Sequence, residues 1–380
     1  MIAQSGRVEI STRRLHANLD LLRARLGERT GICATVKANA YGHGAAQVLP
    51  LLEAAHVPWL CVYSLTEAAE TVALTKRAKV LVLAPVVMRE GEALSGAEVK
   101  AMTHERVRIS VTDADSARHL ALALSPLRLQ RPVLVHVQVD TGLTRAGADA
   151  DGVVELAGLI DSLNVLKVEG IFSHLSHGDE PGHATVAAQL ERLRAVAGPL
   201  RRQNPKLLVH LQNSGGAWHA GDLDLDFARV GIALYGLQPS LADRIDQLQP
   251  IARVVAPVLA IHERPAGTGV GYGHTFTTTR QSRLGIVPVG YGDGYPRQLS
   301  NRSVVQLAGG TAPVVGRVSM DQIVIDLTDL PKAGVGEPVT VVSDRSADAN
   351  SLDSLAAATG TIPYELATSL NRRLERVTIA

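Results

Sequence analysis

The sequence predicts a mixed α/β protein that has an N-terminal (β/α)₈ barrel of the TIM type and a C-terminal β-rich domain. Between Gly31 and Leu237, short β-branched runs alternate with longer alanine- and leucine-rich segments, which is the pattern of repeated βα units. From about Asp246 the helical periodicity fades, and glycine, proline and valine become more frequent. The 380 residues also exceed the size of one typical core, so two domains are expected.

Eight apolar runs are the candidate barrel strands. Several are apolar at nearly every position, as strands buried on both faces should be. The segments 44–56, 65–75 and 187–197 carry leucine, valine and alanine at three- and four-residue intervals, which suits outer helices. A doubly wound open sheet is the alternative, but no Gly-x-Gly-x-x-Gly follows the first run. The runs are Ile32–Val36, Trp59–Tyr63, Val80–Ala84, Arg108–Thr112, Val133–Val139, Val168–His174, Leu207–Leu211 and Phe227–Leu234.

The expected domains are residues 1–245, the barrel, and residues 246–380, the β-rich domain. The first ten or so residues form a segment that can pair with strands of the second domain instead of belonging to the barrel. Within the second domain, Pro363 stands near the start of a predicted C-terminal helix. The predicted strands of this domain are Val254–Ile261, Leu284–Val289, Val304–Ala308 and Ile323–Leu327.

Charge and cysteine content narrow the possible partners. The 38 basic and 37 acidic residues give a net charge of +1, so neither nucleic acid nor an anionic membrane is an expected partner. Cys33 and Cys61 are too few and too far apart for a disulfide framework or a zinc site. No apolar run approaches the ~20 residues needed to span a bilayer, and the N-terminus lacks a signal-peptide pattern. A cytoplasmic protein is expected.

Polar residues collect where the predicted barrel strands end. In a (β/α)₈ barrel the loops after the strands form the active face, so function is expected there. Lys37 follows the first run directly and lies four residues before Tyr41. A buried lysine loses its proton readily and can attack a carbonyl, which favours covalent capture of an aldehyde cofactor. The competing interpretation is a surface lysine beside a turn.

Strands seven and eight offer anchors for a phosphate group. Ser214 follows strand seven, and Gly231 and Ile232 lie in strand eight, where the loops of such barrels often hold phosphate. Arg229 lies inside the same apolar run, and because arginine keeps its charge on burial it must face a partner, such as a ring nitrogen that accepts a hydrogen bond.

Other strand-end residues have competing interpretations. Arg145 follows strand five and can equally form an ordinary ion pair with Asp140. His174 stands near His177 and Asp179, but no second carboxylate or cysteine has matching spacing, so no metal site is expected. In the second domain glycines surround several tyrosines, which suits either a ligand approach or simple surface turns.

Taken together, these motifs resemble those of the alanine racemases, pyridoxal-phosphate enzymes with an N-terminal barrel and a C-terminal β domain. The resemblance covers nearly the whole chain and depends on several motifs in one order. They are Val36-Lys-Ala-Asn-Ala-Tyr-Gly-His-Gly44, Val139-Asp-Thr-Gly142 with Arg145, Asn213-Ser214, Arg229-Val-Gly-Ile232, Gly271-Tyr-Gly273, Gly290-Tyr-Gly-Asp-Gly-Tyr295, Met320-Asp-Gln322 and Thr361-Ile-Pro-Tyr364.

The resemblance implies a role for each matching residue. Lys37 would carry pyridoxal 5'-phosphate as a Schiff base, and Arg229 would face the pyridine nitrogen with His174 beside it. Arg145 would assist at the substrate carboxylate. The phosphate ligands would be Tyr41, Ser214, the amides of Gly231 and Ile232, and Tyr364. The residues from the second domain of a neighbouring subunit would be Tyr272, Tyr291 and Met320, which makes the expected protein a homodimer with shared active sites.

The implied reaction is the interconversion of L-alanine and D-alanine. Racemisation removes the α-proton from one face of the external aldimine and returns one to the other, so two bases must flank Cα. By resemblance Lys37 serves the D face and Tyr272 the L face. A tyrosine hydroxyl ordinarily has a pKa near ~10, so its proton must be drawn off by nearby positive charge, for which Arg229 acting through His174 is the expected route.

Two positions depart from the family pattern. Gln138 stands where many members have a carbamate-modified lysine that positions the arginine, and its carbonyl is expected to orient Arg145 instead. Ser319 stands where relatives often have cysteine, which is a mild change.

Three other functions remain open to comparison. A decarboxylase of the related barrel fold would need a reactive cysteine in the second domain, and no cysteine follows Cys61. A non-catalytic cofactor-binding barrel would lack both the β domain and Tyr272. A racemase for serine or another small amino acid is the nearest alternative, since a pocket discriminates one added hydroxyl by only about 10²-fold.

Overall fold

The computed structural model describes residues 5–240 and 242–380, and residues 1–4 and 241 lie outside this description. The strands are β1 Arg7–Ser11, β2 Gly31–Thr35, β3 Trp59–Val62, β4 Lys79–Pro85, β5 Val107–Val111, β6 Val133–Asp140, β7 Ala148–Asp149, β8 Leu166–Phe172, β9 Leu208–His210, β10 Phe227–Val230, β11 Ala252–Pro257, β12 Ala260–Arg264, β13 Gly269–Val270, β14 Phe276–Thr277, β15 Ser282–Val287, β16 Val304–Leu307, β17 Gly310–Pro313, β18 Ile323–Asp326, β19 Pro338–Val342 and β20 Glu375–Ile379.

The α-helices are α1 Thr12–Leu26, α2 Lys37–Tyr41, α3 Ala45–Ala54, α4 Leu65–Leu74, α5 Gly96–Met102, α6 Ala114–Leu124, α7 Val153–Ser162, α8 Ala184–Gln203, α9 Ser214–His219, α10 Leu352–Thr359 and α11 Pro363–Ser369. Side chains accept hydrogen bonds at several helix starts, for example Ser64 before α4 and Asp113 before α6. Ser95 and Glu98 form a reciprocal capping box at α5.

The chain divides into two compact units. The barrel unit consists of residues 19–38 and 49–234. The second unit consists of the segment that ends at Asn18, residues 39–48, and residues 235–380. Each unit is described separately below. The prediction that one independently folding domain ends at residue 245 and the next begins at residue 246 stays a prediction.

The barrel unit contains eight parallel strands in the order β10-β2-β3-β4-β5-β6-β8-β9, with the short β7 paired to β6. Two backbone hydrogen bonds nearly close the barrel between its last segments, from Asp226 N to Val209 O at 3.0 Å and from Arg229 N to Gln212 O at 2.9 Å. The predicted (β/α)₈ class is therefore confirmed, and all eight predicted runs contain a strand. Parallel strands buried on both faces explain why those runs are so uniformly apolar.

Two strand ends were predicted wrongly in the barrel. The eighth strand stops at Val230, and residues 232–235 form a 3₁₀ turn. The sixth stops at Phe172, so His174 lies in the loop after β8 rather than within the strand. In both places the apolar composition continues past the last strand pair, so composition alone does not mark where the ladder ends.

The second unit is dominated by a six-stranded sheet in the order β17-β16-β19-β11-β1-β20. Strand β1 pairs antiparallel with β11 and parallel with β20, so the N-terminal segment fills an interior place in this sheet. Residues 1–4 of that segment lie outside the described residues. A three-stranded sheet, β12-β15-β18, and the β13-β14 pair complete the unit.

The β-rich prediction for the C-terminal part is confirmed, with one correction. The run Val254–Ile261 was expected to be one strand, but Pro257 ends β11 and a separate strand, β12, begins at Ala260. The predicted C-terminal helix is α11, with Pro363 in its first turn. Among the described residues, no helix combines the length and the apolar character needed to cross a membrane.

Candidate active site

Lys37 follows β2 directly and begins a turn with an unusual backbone. Ala38, Asn39, Ala40 and Tyr41 all have positive φ, between 52° and 55°, so α2 is a left-handed turn and not an ordinary right-handed α-helix. A left-handed conformation costs about 1–2 kcal/mol for each residue with a side chain. Such strain persists only where surrounding contacts hold it, and it is frequent at functional sites.

Local hydrogen bonds hold the left-handed turn. The buried ring of His43 places Nδ1 at 3.1 Å from the carbonyl of Ala40 and at 2.9 Å from that of Tyr41. Because both partners are acceptors, Nδ1 carries the proton of a neutral ring. Earlier in the turn, the amide of Ala38 donates to Glu67 Oε1 at 2.7 Å. The backbone that follows Lys37 is thus fixed on both sides of its strained residues.

The surroundings of Lys37 favour its neutral form. Partial burial lowers the pKa of Lys37 below its usual value, against an opposing effect of the Cys61 thiol, and the guanidinium groups of Arg145 and Arg229 lower it further. No ion pair with Lys37 occurs among the described residues. A lysine in this state can act as a nucleophile and as a base.

Arg229 on β10 is a buried cation whose hydrogen-bond partners are all neutral. Its Nη1 lies 2.7 Å from His210 Nδ1, and its Nη2 lies 2.7 Å from Ser173 O, 3.3 Å from Leu211 O and 3.1 Å from His174 Nδ1. Among the described residues no carboxylate forms an ion pair with it. Since a guanidinium only donates, both imidazole Nδ1 atoms are acceptors.

The two histidines beside Arg229 are held in the neutral state. Burial lowers the pKa of His174 and of His210 well below the usual value, and the charge of Arg229 lowers both further. With Nδ1 accepting from Arg229, the ring proton of His174 resides on Nε2. His210 continues inward, with Nε2 at 2.9 Å from His136 Nδ1.

Amides near the end of β10 converge on the hydroxyl of Ser214, the first residue of α9. The amide of Gly231 donates to Ser214 Oγ at 2.8 Å, and that of Ala233 lies 3.4 Å from the same oxygen. Ile232 lies between them and is fully buried. Backbone donors that meet at one oxygen are suited to hold an anion, as predicted for this part of a barrel.

Arg145 lies on the loop after β6 and is exposed. The ion pair with Asp140 considered above does not form among the described residues. Instead Asp140 Oδ1 accepts from the amides of Gly142, Leu143 and Thr144 at 2.8, 3.0 and 3.2 Å, which shapes the turn. These bonds keep the pKa of Asp140 below its usual value, although burial opposes them.

Gln138 does not form the predicted hydrogen bond with Arg145. Its Nε2 donates to the carbonyl of Ala146, at 3.1 Å, and the side chain is buried. The prediction named the carbonyl of Gln138 as the group that orients the guanidinium. The contact seen here uses the amide nitrogen and acts on the backbone one residue after Arg145.

In the second unit, the residues predicted to meet the substrate are exposed. Tyr272 is 72% exposed on a 3₁₀ turn, Met320 is 53% exposed and Tyr291 is 43% exposed. The loops of the last two are joined, because the amide of Gly292 donates to the carbonyl of Met320 at 2.8 Å and that of Tyr291 donates to Ser319 O at 3.0 Å. Tyr291 and Met320 are therefore brought together.

The two tyrosines predicted to bind phosphate lie together in the second unit. The rings of Tyr41 and Tyr364 have centroids 6.2 Å apart, and Tyr41 lies 5.2 Å from the ring of Tyr235. The ring of His43 also stacks on that of Tyr235, with centroids 4.5 Å apart. This aromatic cluster gives the segment after Lys37 a packed support.

The described part of the chain contains no cluster of histidine, cysteine, aspartate or glutamate side chains suited to hold a metal ion. The segment around His177 and Asp179 is not such a cluster. His177 instead stacks on His183, with ring centroids 4.0 Å apart.

Sequence reasoning missed the interior polar residues of the barrel. His136 on β6 and His210 on β9 are fully buried and join Arg229 to Glu169 on β8. The available signal was the one used for Arg229, a polar residue within an apolar run. Applied to Leu207–Leu211 and Val133–Val139, it would have identified both histidines.

Comparison with known proteins agrees with this geometry. Residues 10–239 match the alanine racemase N-terminal domain, and residues 251–378 match the alanine racemase C-terminal domain. The alanine racemase of Synechocystis sp. is 35% identical over 382 residues, with all of both chains covered. An alanine racemase structure from Clostridium difficile 630 has a TM-score of 0.89 at 28% identity and covers 100% of this chain and 97% of that one.

A second solved structure carries the predicted cofactor. Alanine racemase from Bartonella henselae with covalently bound pyridoxal phosphate has a TM-score of 0.82 at 29% identity, with 99% of each chain covered. Both domain families, the full-length relative and the matching folds agree along the whole chain. The chain therefore belongs to the alanine racemase family.

Proposed function

We propose that Lys37 and Tyr272 are the two bases with which this chain interconverts L-alanine and D-alanine, using pyridoxal 5'-phosphate. The observation that carries the proposal is the pairing, in one barrel end, of a lysine biased towards its neutral form with a buried arginine that lacks a carboxylate partner. Sequence similarity to an alanine racemase over the full length of the chain supports alanine as the substrate.

The residues present fit the cofactor. Lys37 has no ion-pair partner among the described residues and can form a Schiff base with an aldehyde. Arg229 keeps its proton and donates only to neutral acceptors, so a ring nitrogen is a suitable further acceptor. The Ser214 hydroxyl stands where two backbone amides converge, a position suited to a phosphate oxygen.

When bound, the cofactor supplies an electron-withdrawing ring that acidifies the Cα–H bond of the amino acid. The protein's own part is to place bases on both faces of that bond. Lys37 would hold the cofactor, and its Nζ would take or return the proton on one face of the amino acid. Arg229 would face the ring nitrogen and, because it keeps its own proton, would leave that nitrogen an acceptor, which would discourage side reactions.

The opposite face requires a second base, and we assign it to Tyr272 of the partner subunit in a homodimer. Exposure of Tyr272, Met320 and Tyr291 supports this assignment, because large side chains left in water are characteristic of interaction surfaces. His174 carries its ring proton on Nε2, since Nδ1 accepts from Arg229. That N–H can donate to a phenolate oxygen and so stabilise the basic form of the tyrosine.

The remaining assignments complete the proposal. Arg145 binds the substrate carboxylate, and Tyr291 and Met320 of the partner subunit limit the size of the substrate side chain. The phosphate ligands are Tyr41, Ser214, the amides of Gly231 and Ile232, and Tyr364. The Gly231 amide already donates to Ser214 Oγ, so the two groups lie side by side. Both would contact the phosphate oxygens once the cofactor binds. We further propose that the enzyme acts in the cytoplasm, consistent with two free, buried cysteines.

The test is incubation of the purified protein with L-alanine and pyridoxal phosphate in deuterium oxide. D-Alanine is followed by chiral chromatography and Cα deuterium by mass spectrometry. Deuterated D-alanine is expected, with L-serine turned over at a lower kcat/KM. Exchange into L-alanine without inversion would contradict the two-base assignment, because only the base on the L face would then be exchanging the proton. No exchange with alanine but turnover of serine would overturn the substrate assignment.

A further inference from the structure

Helix α8 contributes one fully buried polar side chain, Gln189, to the layer between helix and barrel. The neighbouring inward positions on this helix are apolar, among them Leu190, Leu193 and Val196. A methionine or leucine of similar volume would bury the same space without the cost of desolvating an amide. The polar group at this position therefore calls for a reason beyond packing.

The carboxamide of Gln189 uses its full hydrogen-bonding capacity. Its Nε2 donates to Thr141 Oγ1 at 3.2 Å and to the carbonyl of His174 at 2.9 Å. Its Oε1 accepts from the amide of Ser176 at 2.9 Å and from the Ser176 hydroxyl at 3.0 Å. Two donors and two acceptors satisfy an amide completely, which fixes its orientation.

These four bonds join two different strand-end loops. Thr141 belongs to the loop after β6, four residues before Arg145. His174 and Ser176 belong to the loop after β8. A direct bond between Thr141 Oγ1 and Ser173 Oγ, at 2.7 Å, ties the same two loops, and Arg192 of α8 donates to Thr141 O at 2.7 Å.

We propose that Gln189 is a positioning residue for racemisation, whose amide sets the spacing between the loop of Arg145 and the loop of His174. The inference rests on the proposed roles of those two residues. The substrate carboxylate would meet the first loop, and the hydrogen bond to the second base would come from the second. A displacement near 1 Å in such groups can cost about 10²-fold in rate.

The test compares three variants of the full-length protein. Gln189→Met keeps the volume and removes all four bonds, whereas Gln189→Glu keeps both acceptor contacts with Ser176 and removes both donors. Ala187→Met places the same thioether on the exposed face of α8 as the matched control. Each variant is measured for hydrogen–deuterium exchange without cofactor, and for kcat, KM and bound cofactor with it.

Gln189→Met is expected to raise exchange at least tenfold in peptides that cover residues 140–147 and 173–178. With cofactor content unchanged, KM for L-alanine should rise about 5- to 10-fold and kcat should fall about 10-fold. Gln189→Glu should loosen the 140–147 peptide while the Ser176 amide stays protected. Ala187→Met should match the parent protein in every measurement.

The Glu variant also carries a pH signature. Burial raises a carboxyl pKa, so the folded variant binds a proton that the unfolded chain has released above pH ~4.3. Its melting temperature relative to the parent should therefore fall as pH rises from 5 to 8. The protonated acid regains one donor, so protection of the 140–147 peptide should recover in part at pH 5.

Arg145→Gln separates this inference from the proposed function. If KM rises in Arg145→Gln while folded Gln189→Met keeps exchange and kinetic constants within twofold of the parent, the positioning role of Gln189 is wrong. If Arg145→Gln leaves KM unchanged, the assigned role of Arg145 is wrong. Faster exchange in Gln189→Met with unchanged kinetics would also overturn the positioning role, because the loops would then be loosened without consequence for the reaction.

Discussion

The barrel residues and the second-unit residues assigned to the reaction differ in how completely their own unit surrounds them. Arg229, His210 and Ser214 are buried, and each has polar partners within the barrel unit. Tyr272, Met320 and Tyr291 are 72%, 53% and 43% exposed. Groups that are buried and hydrogen-bonded before ligand arrives provide preorganised electrostatics. The exposed groups gain a comparable environment only when another surface covers them. In the proposed mechanism the barrel would therefore carry the charge chemistry, and the second unit would add the opposing base and the size limit.

Replacement of Lys37 should abolish the contribution of the barrel residues to the reaction. Lys37→Ala is expected to lower D-alanine formation by more than about 10⁴-fold, because it removes both the Schiff-base amine and one of the two bases. Chiral chromatography of the product measures the loss. Lys79→Ala, at the start of β4, is the matched control and should keep activity within a few fold. Activity above 1% in Lys37→Ala would contradict the role.

Loss of the exposed hydroxyl should affect inversion and not folding. Tyr272→Phe is expected to lower racemisation about 10³-fold while its melting temperature stays within a degree, since the side chain is 72% exposed. Deuterium exchange at Cα of D-alanine, the enantiomer assigned to Lys37, should persist. Tyr63→Phe, an exposed tyrosine of the barrel unit, serves as control. Equal loss of exchange on both faces would show that Tyr272 is not a separate base.

Acid should destabilise the protein through its buried histidines, three of which lie in the barrel unit. Burial lowers the pKa of His136, His174 and His210, and lowers that of His43 to about 4. The unfolded chain binds these protons near pH ~6.5 and the folded chain does not, so the free energy of unfolding falls as pH drops below that value. His43 alone would account for a loss on the order of 3 kcal/mol by pH 4.

Denaturant unfolding between pH 7.5 and 5 measures this dependence. His43→Asn retains an N–H donor for the carbonyls of Ala40 and Tyr41 and cannot titrate, so its stability should depend less steeply on pH, by about one proton. An unchanged pH dependence in this variant would mean that His43 takes up its proton equally in the folded and the unfolded protein.

Gln138 tests a smaller contribution on the barrel side. Gln138→Ala removes the hydrogen bond to the Ala146 carbonyl, next to Arg145, and a bond of this kind contributes about 1 kcal/mol. Turnover of L-alanine should fall about 5-fold with cofactor binding intact. Gln281→Ala, at an exposed glutamine, should change nothing. Kinetics identical to the parent would reject any role for Gln138 in placing the loop.

Substitution by glycine should change the stability in opposite directions at two alanines. Ala38→Gly relieves a positive φ in the left-handed turn and should raise stability by up to about 1 kcal/mol after the entropy cost of glycine. Ala69→Gly, on the exposed side of α4, should lower stability by about 1 kcal/mol. Melting temperatures of both variants decide the matter. Destabilisation of equal size at both positions would show that the turn is not strained.

The sequence was most informative where one physical pattern dominates. Buried parallel strands have to be apolar on both faces, so the eight barrel strands could be predicted from composition. Lys37 and Arg229 were predictable because a charged residue in or beside an apolar run is rare. The end of β10 was not predictable, because residues 232–235 are as apolar as a strand but form a 3₁₀ turn.

Other features depend on contacts that the local sequence does not encode. Ala-Asn-Ala-Tyr has no glycine, so nothing in it predicts four consecutive positive φ angles; His43 and Glu67 hold that backbone from outside the turn. In the sequence alone, Gln189 is one polar residue of a helix that otherwise has an ordinary pattern. Its importance depends on two loops that lie 48 and 13 to 15 residues away in sequence.

The interior position of β1 governs when the second unit can be finished during synthesis. Arg7–Ser11 is synthesised long before its neighbours in the sheet, β11 and β20, and β20 is Glu375–Ile379. At about 5–20 residues per second, the earliest strand waits tens of seconds for its last partner. During that interval its unpaired edge is exposed to other nascent chains, so chaperone dependence and the yield of active enzyme should respond to the speed of translation.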